Sequence, residues 1–194
     1  MADASHAPES WRDQVTLPNL ITLARIAAIV VFGVLLVGEI DGWAITVLAV
    51  AGASDFLDGY LARRLGQTSE LGRILDPAAD RILTVVVVLG LAWRDIIPWW
   101  LVVLLLARDV IMGGALLWWR HRGSTTPQVT MLGKSATFAL YVFLPLAYLA
   151  YERWDGIHAF AVWSAAAAAT LYWGSAVQYL AQLRRTRSSA RNSA

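Results

Sequence analysis

The chain contains no cysteine, and Lys134 is the one lysine among its 194 residues. Without cysteine, disulfide bonds and thiolate chemistry are excluded. The three histidines stand far apart in the sequence, so a histidine metal site is not indicated. A formal net charge of +2 is too small to indicate nucleic-acid binding, and we expect no nucleic-acid partner.

Hydrophobic residues dominate the composition, since they make up 58% of a chain that also carries 10 tryptophans. Such a composition is unlike that of an ordinary soluble domain. Six apolar segments are each near the roughly 20 residues that cross a bilayer as a helix. They cover about 19–37, 43–65, 72–93, 97–119, 130–151 and 157–183. Because they are continuously apolar instead of alternating, the sequence predicts an all-α integral membrane protein, a six-transmembrane-helix bundle over residues 18–183 that contacts membrane lipids.

Polar residues flank this bundle at both ends. No cleavable signal peptide is evident, because the first apolar segment is long enough to span and lacks a convincing cleavage site. We expect residues 1–17 to form a cytoplasmic tail, in which Trp11 and Arg12 could sit in a short interfacial helix. Residues 184–194, rich in arginine and serine, are predicted to be a disordered cytoplasmic tail.

The arginines are distributed unequally between the two sides of the predicted bundle. Six spans put both termini on one side, together with the loops near residues 66–71 and 120–129. That side carries Arg12, Arg63, Arg64, Arg73, Arg120, Arg122, Arg184, Arg185, Arg187 and Arg191. The opposite loops hold two arginines beside five acidic residues. The positive-inside rule therefore predicts that both termini lie at the cytoplasmic face of the cell membrane.

Four aspartates form two pairs in the second and third segments. Asp55 and Asp58 are three residues apart, and Asp76 and Asp80 are four apart, so each pair can share one helix face. If the helices are antiparallel neighbours, the carboxylates converge near the connecting loop, where they repel unless divalent cations bind them. The motif offers neither cysteine nor histidine, which favours two Mg2+ or Mn2+ ions over zinc. The alternative is that the four acids are solvated loop residues.

The full spacing from Asp55 to Asp80 is D-x2-D-G-x2-A-R-x8-G-x3-D-x3-D, with every fixed position filled. This pattern resembles the signature of the CDP-alcohol phosphotransferases, integral membrane enzymes of phospholipid synthesis. The run Pro-Asn-Leu-Ile-Thr, residues 18–22, also looks like that family. The resemblance implies an enzyme in which a CDP-linked lipid gives its phosphoryl-bearing group to a hydroxyl acceptor and CMP is released.

Carried onto matching positions, the resemblance gives roles to the polar residues of the motif. Asp55, Asp58 and Asp76 would be metal ligands. Asp80 would complete the metal site and act as the catalytic base that takes the proton of the acceptor hydroxyl. Contacts to the donor, CDP-diacylglycerol, would come from Asn19, Thr22, Gly59, Arg63 and Ser69. Members of the family are commonly homodimers, so a homodimer is expected.

The acceptor is indicated by the fourth and fifth segments. The stretch from Asp95 to Asp109 resembles the cardiolipin synthases of this family, which use phosphatidylglycerol. Phosphatidylglycerophosphate synthases look similar near residues 17–20, but there the resemblance implies Glu at the place of Asp109 and a second lysine after Lys134. Fewer cations suit a phosphodiester lipid better than a small dianionic phosphate. We therefore expect phosphatidylglycerol, with glycerol 3-phosphate as the alternative and inositol phosphates as a third choice.

Each of four cationic side chains within the predicted spans has two possible roles, one structural and one in binding the acceptor. Arg108 either forms an intramembrane salt bridge with Asp109 or binds the acceptor. Lys134 either snorkels to headgroups or, as we prefer, binds the acceptor phosphate. Arg25 and Arg81 could do either.

Two further questions concern the acidic helices themselves. A divalent-cation carrier could also use four acids, but it requires polar residues across the whole bilayer, and the outer halves of the second and third segments are almost wholly apolar.

Pro77 either kinks a helix already running from Gly72, or follows Asp76 as the first residue of a new helix.

Overall fold

The computed structural model describes residues 17–65, 70–120 and 131–192, which form six α-helices and contain no β-strand. For residues 17–18, 55–65, 70–74, 117, 119–120 and 179–192 it describes the backbone alone. The helices are α1 (Leu17–Val37), α2 (Asp41–Leu65), α3 (Glu70–Trp93), α4 (Trp99–Arg120), α5 (Met131–Ala150) and α6 (Asp155–Asn192). The predicted all-α fold is confirmed. The tail and interfacial segment expected before α1 lie outside the described residues.

Four described segments are long and apolar enough to cross a membrane: Asn19–Val37, Trp99–Leu116, Met131–Ala150 and Asp155–Gln178. In α2, an apolar helical segment covers Asp41–Ser54, within the part of this helix whose side chains the structure describes. The first half of α3 is likewise interrupted by charged residues. The chain is therefore an all-α membrane protein whose acidic motif lies within helices α2 and α3.

The chain divides after Gly90 into two compact units. The first unit contains α1, α2 and α3 as far as Gly90, and the second contains the end of α3 together with α4, α5 and α6. The acidic motif belongs to the first unit, whereas Arg108 and Lys134 belong to the second.

Helices α1 and α2 form an antiparallel hairpin in the first unit. The connection is short because Glu39 takes a left-handed conformation, with a φ of 59°, and closes the end of α1. The Ile40 N–H donates to the Leu35 carbonyl at 2.9 Å, and the Glu39 N–H donates to the Leu36 carbonyl at 3.2 Å. These two bonds satisfy the last carbonyls of α1 and turn the chain back. The two helices then pack against each other.

Helices α1 and α3 lie side by side and run in the same direction, because the residues in contact advance together along both helices. The contacting pairs are Thr22 with Asp76, Gly33 with Val86, and Leu36 with Gly90. A Cβ atom added at Gly33 would lie 3.1 Å from Val86 Cγ1, and one at Gly90 would lie 2.5 Å from Leu36 Cδ2. The two glycines thus allow the helix backbones to approach closely.

In the second unit, α5 and α6 form another antiparallel pair. The Phe143 and Phe160 rings meet edge to face, with centroids 5.9 Å apart, and Gly174 lies against Leu132. The buried face of α6 is made mostly of small side chains, which permit close helix packing. Its buried alanines are Ala161, Ala165, Ala168, Ala169 and Ala176.

The connection before α4 is also tied to α6. A ring nitrogen of His158, near the start of α6, lies 2.8 Å from the carbonyl oxygen of Ile96. Farther along, Trp173 Nε1 donates to the Leu104 carbonyl at 2.9 Å. In both contacts a side chain of α6 satisfies a backbone carbonyl. Such bonds are needed in a membrane protein, because the hydrocarbon layer offers no water as a donor.

Helix α3 continues through Pro77, which decides the question left open by the sequence. It runs from Glu70 without interruption, so no new helix starts at Asp76. A proline inside a helix lacks the N–H that would bond the carbonyl four residues earlier, and this weakens the helix locally.

Helix α6 is longer than its apolar segment and continues to Asn192. This corrects the disordered tail expected from residue 184. Arginine and alanine are good helix formers, and the preceding turns supply the costly nucleus that an isolated polar segment would lack.

Candidate functional site

Helix α1 carries a buried stripe that changes from polar to apolar along its length. At the start of the helix the buried residues are Asn19, Thr22 and Arg25, with exposures of 3%, 0% and 2%. Farther along they are Ile29, Phe32 and Leu36, all 0% exposed. Polar side chains buried in a membrane helix require polar partners or a function. The polar part of the stripe therefore marks one end of the first unit as a candidate site.

A hydrogen bond connects this polar stripe to the second aspartate pair. Thr22 Oγ1 donates to Asp76 Oδ1 at 2.8 Å. Asp76 itself is exposed, and Asp80 is half-buried one turn later on α3. Residues four apart lie on the same side of a helix, so Asp76 and Asp80 form one acidic face beside the start of α1.

The backbone of α2 brings the first aspartate pair to the same end of the unit. Asp55 lies 14 residues after the start of α2 at Asp41, and Thr22 lies 15 residues before the end of α1 at Val37. Because α1 and α2 form an antiparallel hairpin with equal rise per residue, Asp55 lies at about the level of Thr22. Thr22 in turn bonds Asp76. Asp55 and Asp76 therefore lie at about one level in the first unit, and Asp58 and Asp80 lie within about one helical turn of it on opposite sides.

The structure does not describe the side chains of five predicted site residues. Asp55, Asp58, Gly59 and Arg63 lie where the structure describes the backbone alone, and Ser69 lies outside the described residues. The convergence of all four carboxylates and the donor contacts of Gly59, Arg63 and Ser69 stay predictions. Asn19 and Thr22, the other two predicted donor contacts, lie on the buried stripe of α1.

The described oxygen donors suit a hard divalent cation. Asp76 and Asp80 supply carboxylates on one face, and helices α1, α2 and α3 contain no cysteine or histidine. Mg2+ and Mn2+ prefer such oxygen ligands. Within the described part of the chain, no group of three or more His, Cys, Asp or Glu residues could hold a metal. A complete site would therefore require Asp55 and Asp58 beside Asp76 and Asp80.

Arg25 and Arg81, which the sequence left with the same two interpretations, have different environments. Arg25 is 2% exposed, whereas Arg81 is exposed. Arg25 lies one turn beyond Thr22 on the buried stripe, so it does not snorkel to the headgroups. Its permanent positive charge is enclosed in the unit that holds Asp76 and Asp80. The signal for this residue was the three-residue spacing of Asn19, Thr22 and Arg25, which puts them on one helix face.

A second polar cluster lies in the second unit, between α4 and α6. Arg108 Nη1 lies 3.2 Å from Asp109 Oδ1, and Arg108 Nη2 donates to Ser175 Oγ at 3.4 Å. The guanidinium carbon lies 3.5 Å from the centroid of the Tyr172 ring. The Tyr172 hydroxyl completes the cluster by donating to Asp109 Oδ1 at 2.9 Å. Arg108 and Asp109 thus form a salt bridge that also connects α4 to α6.

This geometry favours the structural interpretation of Arg108. The side chains of Arg108 and Asp109 are 12% and 14% exposed, and both terminal nitrogens of Arg108 have partners within the protein. Lys134 differs, because it is exposed in the first turn of α5. That position is compatible both with snorkelling and with binding an acceptor phosphate.

Comparison with known proteins assigns the fold and the motif to a family. The sequence model of the CDP-alcohol phosphatidyltransferases matches residues 15–175, which include α1 to α5, most of α6 and the whole aspartate motif. The chain belongs to this family. As a CDP-alcohol phosphatidyltransferase family member, it is a transferase, and the resemblance seen in the aspartate spacing is confirmed.

Individual relatives of this phosphatidyltransferase family member have informative names. The chain is 43% identical over 191 residues to "Cardiolipin synthase (CMP-forming)" of Streptomyces coelicolor, covering 88% of this chain and 84% of that protein. A rat protein of the same name is 37% identical over 63% of this chain, which covers 41% of the rat protein. A rice protein named "CDP-diacylglycerol--glycerol-3-phosphate 3-phosphatidyltransferase 1, chloroplastic" is 41% identical over 53% of this chain and 31% of its own length.

The cluster of Arg108, Asp109 and Tyr172 leads to a prediction about stability. Replacing Tyr172 by phenylalanine keeps the ring under the guanidinium but removes the hydrogen bond to Asp109. We expect the free energy of unfolding to fall by about 1–3 kcal/mol, because a largely enclosed carboxylate oxygen loses a donor. Thermal unfolding of the detergent-solubilised protein measures the effect. The control is Thr170→Val, since the exposed Thr170 hydroxyl bonds a carbonyl of its own helix. Equal melting temperatures for both variants would contradict a stabilising role of the cluster.

Proposed function

We propose that this chain transfers the phosphatidyl group of CDP-diacylglycerol to phosphatidylglycerol, forming cardiolipin and releasing CMP. The observation that carries the proposal is the similarity to the Streptomyces protein named as a CMP-forming cardiolipin synthase, at 43% identity over 88% of this chain. The acidic face of Asp76 and Asp80, beside the buried polar stripe of α1, supplies a site of suitable chemistry.

The donor's diphosphate is the group that this site would hold. Four aspartates, Asp55, Asp58, Asp76 and Asp80, would bind two Mg2+ or Mn2+ ions. When bound, these ions would neutralise the diphosphate and the charge that develops during group transfer. The cytidine end of the donor would lie among Asn19, Gly59, Arg63 and Ser69, and its acyl chains would remain in the lipid.

Asp80 is proposed as the catalytic base. A base must reach the proton of the acceptor hydroxyl, and Asp80 is half-buried one turn beyond Asp76, on the same face of α3. The hydroxyl oxygen of the acceptor forms a new bond to the phosphorus that carries the diacylglycerol. The bond from that phosphorus to the bridging oxygen breaks, CMP leaves with this oxygen, and Asp80 receives the hydroxyl proton.

Lys134 is the stronger candidate for binding the acceptor phosphate. It is exposed at the start of α5, whereas the terminal nitrogens of Arg108 are engaged by Asp109 and Ser175. A single ammonium group suits the single charge of a phosphodiester. Arg108 would then contribute to the acceptor end mainly by keeping α4 against α6.

A different acceptor, glycerol 3-phosphate, is the second candidate. It is favoured by the name of the rice relative, which is 41% identical over 53% of this chain.

An orientation in the cell membrane is also proposed, with both termini and the site at the cytoplasmic face. It rests on the arginines near the predicted inner loops and the acidic residues at the opposite turns, where Glu39, Asp95 and Glu152 have left-handed backbones. The 38 residues of α6 extend over about 57 Å, far more than the roughly 30 Å hydrocarbon layer. The arginine-bearing end of α6 can therefore project into the cytoplasm. A homodimer is expected from the family resemblance.

An acceptor panel tests the proposed reaction. Purified protein receives CDP-diacylglycerol, Mg2+ or Mn2+, and either phosphatidylglycerol or glycerol 3-phosphate, and the lipid products are separated. We expect cardiolipin to form with phosphatidylglycerol at least about tenfold faster than any product forms with glycerol 3-phosphate, because the acceptor pocket discriminates by its polar contacts. A product formed with glycerol 3-phosphate alone would contradict the proposed acceptor. Cation flux through vesicles without CMP release would instead support a carrier.

The absence of cysteine offers a direct test of the orientation. Single cysteines are introduced as Asp95→Cys, in the turn between α3 and α4, and as Ser188→Cys, near the end of α6. In intact cells a membrane-impermeant maleimide should label the first variant, and the second variant only after permeabilisation. The cysteine-free parent is the unlabelled control. The reversed pattern would contradict the proposed orientation.

A further inference from the structure

We propose that Thr22 is a positioning residue for Asp76, holding this carboxylate in the orientation that binds the divalent cation. The inference rests on the proposed function, because it assigns Asp76 to a metal. It differs from the role that the family resemblance implies for Thr22, which is contact with the donor nucleotide. The observation behind it is the hydrogen bond from Thr22 Oγ1 to Asp76 Oδ1, 2.8 Å long.

This bond is unlike those of the other threonines whose side chains the structure describes. In a helix, a threonine hydroxyl commonly bonds the carbonyl three or four residues earlier. The other four do so: Thr46 to Gly42, Thr84 to Asp80, Thr137 to Gly133 and Thr170 to Ala167. Thr22 bonds a carboxylate on another helix, 54 residues away in the sequence. The bond is therefore a tertiary contact that joins α1 to α3.

Thr22 is also held firmly enough to orient another side chain. It is 0% exposed, and it lies on the face of α1 that packs against α3. The close approaches of Gly33 to Val86 and of Gly90 to Leu36 fix the same two helices farther along. A threonine in a helix has two main χ1 rotamers, and the complete burial of Thr22 leaves its side chain little room to exchange between them.

Asp76, in contrast, needs an external constraint. It is exposed and directly precedes Pro77, where the backbone hydrogen bonding of α3 is weakened. A hydroxyl donor to an ionised carboxylate makes a strong, charge-assisted bond that selects one orientation. The bond engages Oδ1, and a carboxylate has a second oxygen, Oδ2, that can bind a cation. Groups that orient metal ligands in this way typically change metal affinity 10- to 100-fold when removed, as a general range.

The test is direct Mn2+ binding to the purified full-length protein in detergent, without substrate, measured from the electron paramagnetic resonance signal of free Mn2+. Thr22→Val removes the hydroxyl and should weaken Mn2+ binding about 10- to 100-fold. Thr22→Ser keeps the hydroxyl and should restore most of the affinity. Thr46→Val is the matched control, because it removes a hydroxyl that bonds its own helix on α2.

Enzyme kinetics supply the second readout. At saturating Mn2+, Thr22→Val should show a KM for CDP-diacylglycerol near that of the parent, while the Mn2+ concentration for half-maximal rate rises. An unchanged Mn2+ affinity with a raised KM would overturn the inference and return Thr22 to the nucleotide pocket. Equal losses in Thr22→Val and Thr22→Ser, with equally lowered melting temperatures, would overturn it in favour of packing. Failure of the parent protein itself to bind Mn2+ would refute the metal site of the proposed function, and with it this inference.

Discussion

The parallel packing of α1 against α3 is the constraint on which the candidate site depends. Both helices are apolar along most of their length, and Gly33 and Gly90 let their backbones come close. The same contact, continued toward the start of the helices, brings the polar residues of α1 to the aspartates of α3. Since polar and charged side chains are costly in a membrane protein, the placement of the buried Arg25 and the two carboxylates at one end of this helix pair indicates a function.

Charged side chains have different environments in the two units. In the first unit, Asp76 is exposed and accepts a hydrogen bond from Thr22, and Asp80 is half-buried. In the second unit, the Arg108–Asp109 pair is enclosed by Ser175 and Tyr172, so its charges are neutralised within the protein. The contrast separates an exposed carboxylate on α3 from a salt bridge that is enclosed between two helices. It also explains why family membership and the aspartate motif, rather than the presence of buried charges as such, point to the site.

The sequence was sufficient to predict the helices and the motif, because both are local patterns. Continuous apolar runs predict membrane helices, and the spacing of Asp55, Asp58, Asp76 and Asp80 puts each pair on one helix face. The structure carries α3 through Pro77 and α6 to Asn192, where local breaker and composition rules favoured other boundaries or left them open. In both places the helix is supported by neighbouring turns that a single-residue rule does not include.

The partners of individual side chains could not be predicted in the same way. That Thr22 bonds Asp76, and that Tyr172 bonds Asp109, depends on which helices pack together and in what register. Arg25 and Arg81 have the same chemistry and a similar predicted depth, yet one is buried and the other exposed, because they lie on differently packed faces. Tertiary contacts of this kind are separated by more than fifty residues in the sequence and leave no local signal.

The most direct measurement is CMP release from CDP-diacylglycerol and phosphatidylglycerol by the parent protein, Asp80→Asn and Asp95→Asn, with and without a chelator. Asp95 is an exposed turn residue with a φ of 54°, a conformation that asparagine tolerates, so Asp95→Asn controls for the loss of one carboxylate. We expect release that requires Mg2+ or Mn2+, that falls at least about 100-fold in Asp80→Asn, and that persists in Asp95→Asn. Release that survives chelation, or that is equal in all three proteins, would contradict an aspartate-held metal centre as the site of phosphatidyl transfer.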